Sequence, residues 1–66
     1  MKLTDMPYEM IHVGLDVMSH VGTLGKVSLK FSRHPEDVYD QWLQIDWSNG
    51  NISIDEYTNL SKILVI

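Results

Sequence analysis

The chain is 66 residues long, which leaves room for one small domain, because a chain of this size buries only about 60% of its unfolded surface. It has no cysteine, which excludes disulfides, thiolate zinc sites and cysteine catalysis and favours a cytoplasmic location. Its net charge of −4, with five Lys and Arg residues in all, disfavours non-specific nucleic-acid binding. No apolar run approaches the roughly 18 residues of a membrane span, so no membrane partner is expected.

The first ten residues are predicted to form an irregular N-terminal arm, followed by a single domain over residues 11–66. Pro7 cannot donate to a strand ladder, which argues against a central strand at this end of the chain. Met6, Tyr8 and Met10 are the apolar residues expected to pack the arm.

Three stretches alternate between apolar and polar residues, at 11–17, 27–31 and 43–47. Successive side chains of a strand point to opposite faces, so each stretch is predicted to be a strand with one buried face. The core expected from this pattern and from the C-terminal apolar residues consists of Val13, Leu15, Val17, Val27, Leu29, Phe31, Leu43, Ile45, Trp47, Ile52 or Ile54, Leu60, Ile63 and Val65.

Turn residues separate these stretches. Gly22 and Gly25 lie between the first two, and paired glycines permit positive φ angles. Asn49-Gly50 after the third indicates a hairpin with a type I′ turn. A fourth strand is predicted at 52–54 and a last, buried strand at 63–66. Residues 55–60 between them are expected to contain one 3-10 turn.

Residues 34–42 have two readings. Pro35 suits the first position of a helix, and Val38 and Trp42 are four residues apart, as one helical face requires. However, the alternation of the third strand begins immediately afterwards. A loop with at most one helical turn is therefore predicted, and a full helix is the alternative.

Five short strands joined by tight turns predict an all-β fold, a small five-stranded antiparallel barrel. Closure into a barrel would remove the exposed strand edges that promote aggregation. The strand at 13–17 (VGLDV), the glycine turn at 22–27 (GTLGKV) and the strand and hairpin at 43–50 (LQIDWSNG) resemble the SH3-like small barrels, especially their KOW and Tudor-like branches. The resemblance covers residues 11–66.

The resemblance implies a non-catalytic binding module. The first hypothesis is a small regulatory or inhibitory protein that presents an acidic and aromatic loop to another protein. Its expected contact residues are Glu36, Asp37, Tyr39, Asp40 and Trp42.

Two alternatives remain open at the sequence level. A KOW-type accessory protein of nucleic acid or ribonucleoprotein would use the basic residues Lys26, Lys30 and Arg33. A structural subunit of a larger assembly, or a homo-oligomer, would instead pair its strand edges with those of neighbouring chains.

The sequence contains no pattern that indicates catalysis. The histidines His12, His20 and His34 lack the spacing of a strong metal motif, and no nucleophile motif or phosphate-binding glycine loop is present. No enzyme activity, catalytic residue, metal or cofactor is therefore expected.

Overall fold

The structure, a computed structural model, describes the whole chain, residues 1–66. Its strands are β1 (Asp16–Met18), β2 (Leu24–Phe31), β3 (Trp42–Trp47), β4 (Ile52–Glu56) and β5 (Leu64–Val65). Short 3-10 helices occupy Leu3–Asp5, Tyr8–Met10 and Tyr57–Asn59. None of these helices is long or apolar enough to cross a membrane.

All five strands form one antiparallel sheet in the order β4-β3-β2-β1-β5. The predicted all-β, five-stranded antiparallel fold is therefore confirmed, as is a loop rather than a helix between β2 and β3. The sheet does not close into a barrel, however, because the end strands β4 and β5 do not pair. The N-terminal arm takes the free side of β5 instead, through a bridge between Lys2 and Leu64.

A β-bulge in β2 reverses the faces that the alternation predicts. Val27 lies opposite Ile45, but Leu29 lies opposite Gln44, so the register shifts by one residue between them. An extra residue in one strand turns every later side chain to the other face. Val27 is buried, whereas Leu29, predicted in the core, is 46% exposed, and Lys30 takes the inward position opposite Leu43.

The hairpin between β3 and β4 reverses a second prediction in the same way. Only Gly50 has positive φ there, and the Gly50 amide donates to the Trp47 carbonyl while the Trp47 amide donates to Asn51. This pattern is typical of a three-residue loop rather than the two-residue type I′ turn. Ile52 therefore lies opposite Asp46, and Ile52 and Ile54, of which one was predicted in the core, are both exposed.

The first strand is shorter than the alternation predicts. The Leu15 amide donates to the His12 carbonyl, and Gly14 has a φ of +96°, so a turn occupies most of 12–15. Val13 is 60% exposed as a result, and its prediction as a core residue is wrong.

The core draws on both the sheet and the arm. Of the predicted core residues, Val17, Val27, Leu43, Ile45, Leu60 and Ile63 are buried. Leu15, Trp47 and Val65 are partly buried and pack against them. Leu3 in the arm and Ile11 at the start of the alternating stretch 11–17 were not among the predicted core residues, yet they are 0% and 1% exposed.

Two tyrosines fix the arm to the rest of the domain. The Tyr57 hydroxyl donates to the carbonyls of Thr4 and Met6, and the Tyr8 hydroxyl donates to the Trp42 carbonyl at 2.9 Å. Desolvation raises the pKa of both phenols. Met6 and Tyr8 pack against the core as predicted, whereas Met10 is 67% exposed.

Candidate docking loop between β2 and β3

The loop that joins β2 to β3, residues 32–41, is organised around the carboxylate of Asp40. One oxygen, Oδ2, accepts hydrogen bonds from the Ser32 hydroxyl and from the amides of Arg33 and His34. The other oxygen, Oδ1, accepts from the indole of Trp42 at 2.8 Å. A single carboxylate thereby connects the start of the loop to its end.

These hydrogen bonds stabilise the charged form of Asp40. Desolvation by itself raises the pKa of this carboxyl group, but the hydrogen bonds from Trp42, His34, Arg33 and Ser32 outweigh it and lower the pKa below its ordinary value of 3.8. Hydrogen bonds donated to a carboxylate favour its ionised form. The loop is therefore held by a carboxylate that stays charged at neutral pH.

The tip of the loop projects apolar surface into solvent. Val38 is 75% and Tyr39 is 87% exposed. The Tyr39 amide donates to Oδ1 of Asp37 at 2.9 Å, and the Asp37 amide donates to the His34 carbonyl, so the tip is a hydrogen-bonded turn. Glu36 beside it is highly exposed, with its carboxylate 3.9 Å from the His34 ring.

Trp42 packs at the base of the loop. It is only partly exposed at the start of β3, its ring stacks on Phe31 at a centroid distance of 6.0 Å, and the Arg33 guanidinium lies 5.0 Å from its centre. Both Asp40 and Trp42 are thus engaged within the loop and its base. Through these contacts they hold the loop in shape.

Of the five expected contact residues, Glu36, Asp37 and Tyr39 lie at the tip and Asp40 and Trp42 at its base. Val38 belongs to the exposed tip as well, and the sequence interpretation missed it. The available signal was its position in an acidic segment predicted to be a loop, where an apolar side chain has no core to enter.

The three basic residues of the nucleic-acid alternative are not brought together. Lys26 pairs with Asp16 at 2.6 Å. Lys30 donates to the Tyr8 carbonyl and lies 4.4 Å from the centre of the Tyr8 ring. Because the bulge separates them, Lys26 and Lys30 point to opposite faces of the sheet. Arg33 covers Trp42.

Apart from the loop, a concave surface runs across β1, β2 and β3. It is an open groove of about 590 Å³ with Val13 and Leu24 among its lining residues, and it includes the Lys26–Asp16 pair and Asp46. The Asp46 carboxylate accepts hydrogen bonds from the Ser28 hydroxyl and from the side-chain amide of Gln44. The charged groups of the groove are therefore paired with neighbours in the chain.

No three His, Asp or Glu side chains lie close enough together to hold a metal ion. The acidic residues of the loop are divided between the tip and the Asp40 hydrogen-bond cluster, so they do not converge on one point.

Comparison with protein-family models, with curated proteins and with solved structures finds no match. The fold and the loop are therefore the basis for inferring function.

Proposed function

We propose that this protein is a non-catalytic interaction module that docks on another protein through the tip of the β2–β3 loop. The observation that carries the proposal is the exposure of Val38 and Tyr39, at 75% and 87%, on a loop fixed by four hydrogen bonds to Asp40. Regulatory or inhibitory use in the cytoplasm remains a prediction.

Preorganisation supports this assignment. A loop that is already ordered loses little conformational entropy on binding, so more of its contact energy appears as affinity. Tyrosine is enriched among the residues that dominate binding energy, because it offers a large apolar surface and a polar tip. Tyr39 has both properties and makes no hydrogen bond through its hydroxyl within the chain.

The charge of the tip defines the complementary partner. Glu36 and Asp37 lie immediately before the apolar residues of the tip, and the chain as a whole carries a charge of −4. Opposite charge across an interface accelerates association and excludes partners of like charge. The proposed partner surface is therefore an apolar pocket with a basic rim.

The order of the elements supports assignment to the SH3-like class. A first strand, a glycine turn, a second strand, a hairpin and a short 3-10 turn before the last strand occur in this chain, in the order that the resemblance implies. The KOW and Tudor-like branches remain expectations drawn from the sequence.

The test uses two matched valines. Val38 and Val21 are both 75% exposed, but only Val38 lies at the loop tip. A partner is first captured by the wild-type chain and identified by mass spectrometry, and its affinity is then measured by calorimetry. We expect Val38→Ser and Tyr39→Ala each to weaken binding by about tenfold or more, and Val21→Ser to leave it unchanged.

Equal affinity of the wild-type chain and the two tip variants would contradict the docking role of the loop. A Glu36→Lys variant separates the electrostatic contribution. It should lower the association rate and its salt dependence, because Glu36 lies at the solvated rim.

A further inference from the structure

The turn between β3 and β4 carries a reactive pair of residues. Of the three asparagines in the chain, only Asn49 precedes a glycine, and both Asn49 and Gly50 are exposed. Asn51 and Asn59 are exposed as well, but they precede isoleucine and leucine, whose side chains shield the following amide. Glycine has no Cβ atom, so the backbone nitrogen of Gly50 is open to the side chain of Asn49.

The surroundings of Asn49 favour attack on its side-chain carbon. A Cβ atom at Gly50 would meet no atom within 4 Å beyond its chain neighbours, so no other segment crowds the pair. Oδ1 of Asn49 accepts a hydrogen bond from the Asn51 amide at 3.0 Å. A donor aimed at an oxygen that gains negative charge in a transition state stabilises that state. This hydrogen bond therefore favours addition of a nucleophile to Cγ of Asn49.

The same turn restrains the nucleophile. The Gly50 amide donates to the Trp47 carbonyl at 3.0 Å, and the Gly50 nitrogen must lose its proton before it attacks. A hydrogen-bonded amide becomes available only when its bond opens locally. The rate of attack therefore depends on how often the turn opens.

We propose that Asn49 deamidates spontaneously through a cyclic imide with Gly50, and that opening of the β3–β4 turn limits the rate. The Gly50 nitrogen loses its proton to the solvent and bonds to Cγ of Asn49, and the side-chain nitrogen leaves as ammonia. Water then adds to one of the two imide carbonyls and opens the ring. Cleavage of the bond to Cγ gives aspartate, and cleavage of the bond to the main-chain carbonyl carbon gives isoaspartate.

The two products differ in how well they fit the turn. Each makes the net charge of the chain, which is −4, more negative by one unit. Aspartate leaves the backbone unchanged and offers the same oxygen to the Asn51 amide. Isoaspartate inserts one methylene group into the backbone between Trp47 and Asn51, whose amide and carbonyl groups close the loop. Because loop length fixes the register of a hairpin, isoaspartate should loosen this end of the hairpin.

Incubation of the purified chain in warm, mildly alkaline buffer, with and without urea, tests the proposal. Peptide fragmentation in a mass spectrometer detects each deamidated asparagine as a gain of about one dalton and distinguishes aspartate from isoaspartate. We expect Asn49 to react roughly tenfold or more faster than Asn51 and Asn59, because only its following residue lacks a Cβ atom. The reaction at Asn49 should be faster in urea than in buffer, because urea opens the turn.

Gly50→Ala tests the chemistry of the pair. The added Cβ atom should slow the reaction at Asn49 roughly tenfold. Gly50 has a φ of +89°, so the variant strains the folded turn, and its rate is compared with the wild type in urea, where the turn is open in both chains. Asn49→Ser keeps an oxygen for the Asn51 amide and should remove the reaction without loosening the fold.

The effect on the hairpin is measured on the separated products. The isoaspartate form should unfold at a lower urea concentration than the Asn49→Asp variant, which has the same charge and an unaltered backbone. Equal unfolding midpoints would contradict the predicted loosening of the turn.

Three results would overturn the proposal. In the first, Asn51 or Asn59 reacts as fast as Asn49. In the second, Asn49 reacts at the same rate in buffer and in urea, so the turn does not restrain it. In the third, Asn49 of the folded chain stays intact while the chain in urea is fully converted. None of these results bears on the β2–β3 loop, which shares no residue with the turn.

Discussion

The two edges of the sheet differ in what covers them. At β5, the Leu3 amide donates to the Ile63 carbonyl and the Val65 amide donates to the Met1 carbonyl, so the N-terminal arm occupies the edge. At β4 no segment is present, and Ile52 and Ile54 are exposed. One chain thus contains a protected edge and an unprotected one.

The covered edge belongs to the part of the molecule that stabilises the fold, and the open edge belongs to the part that is available for contact. The arm places Leu3 in the core, and Ile11 enters the core directly after the arm; both are essentially inaccessible to solvent. The β4 edge and the tip of the β2–β3 loop, by contrast, expose apolar side chains that are not part of the core. Substitutions in the first region should reduce stability, and those in the second should alter association.

The largest expected effect is that of Leu3→Ala. Leu3 is 0% exposed, and removing a buried leucine side chain costs about 2–5 kcal/mol. A domain this small has a total stability of only about 3–10 kcal/mol, so much of it should be lost. Urea denaturation measures the change, and Met10→Ala, in the same arm but 67% exposed, is the control. Equal stability of the two variants would refute a structural arm.

Gly25→Ala tests the packing of β2, the central strand of the sheet. A Cβ atom there would lie 2.6 Å from Cε3 of Trp47 and 2.9 Å from the Asp46 carbonyl oxygen. Overpacking of this kind costs about 1–3 kcal/mol. Trp47→Leu should relieve part of the clash, so the double variant should lose less stability than the sum of the single ones. Strict additivity would argue against the close approach.

Tyr57→Phe tests the attachment of the arm through hydrogen bonds. The hydroxyl donates to the Thr4 and Met6 carbonyls, and its removal should cost about 1–2 kcal/mol. Tyr39→Phe is the matched control, because Tyr39 is 87% exposed and its hydroxyl makes no hydrogen bond. Thermal or urea unfolding that fails to distinguish the two variants would show that the arm is held in another way.

Acid titration tests the β2–β3 loop, with the smallest expected effect on the fold as a whole. The pKa of Asp40 is depressed below 3.8, so its contribution to loop order is complete above that pH and is lost as the pH falls through the lowered pKa. The Trp42 indole proton and the Arg33 and His34 amides should report this step by NMR. Asp40→Asn should abolish it, whereas Asp37→Asn should leave it in place.

The strands were predictable from the sequence, but the faces of their side chains were predictable only in part. Val17, Leu43 and Ile45 are buried as the alternation predicts. Leu29 and Ile54 are exposed because a bulge and a three-residue turn each shift the register by one residue. The apolar–polar alternation does not reveal an inserted residue. One inserted residue moves every later side chain of the strand to the other face of the sheet.

The position of the loop was predictable from the sequence, but the hydrogen bonds that order it were not. Its acidic and aromatic composition pointed to Glu36, Asp37 and Tyr39, which lie at the exposed tip. The same composition did not distinguish Asp40, whose partners include backbone amides. Hydrogen bonds to the backbone depend on the path of the chain, and side-chain identity alone does not reveal them. Leu3 was missed because no periodic pattern contains the arm. Ile11 stands at the start of the alternating stretch 11–17 but was left out of the predicted core.

Amide hydrogen exchange on a dilute, monomeric sample tests the difference between the two edges most directly. We expect slow exchange at Leu3 and Val65, whose amides are bonded at the covered edge, and fast exchange at Ile52 and Ile54 even though both belong to β4. Ser53 and Asp55 should be slower than their isoleucine neighbours, because they bond towards β3, as Asn51 does when its carbonyl accepts from the Trp47 amide. Uniform protection along β4, or rapid exchange at Leu3 and Val65, would contradict a sheet with one covered edge and one open edge.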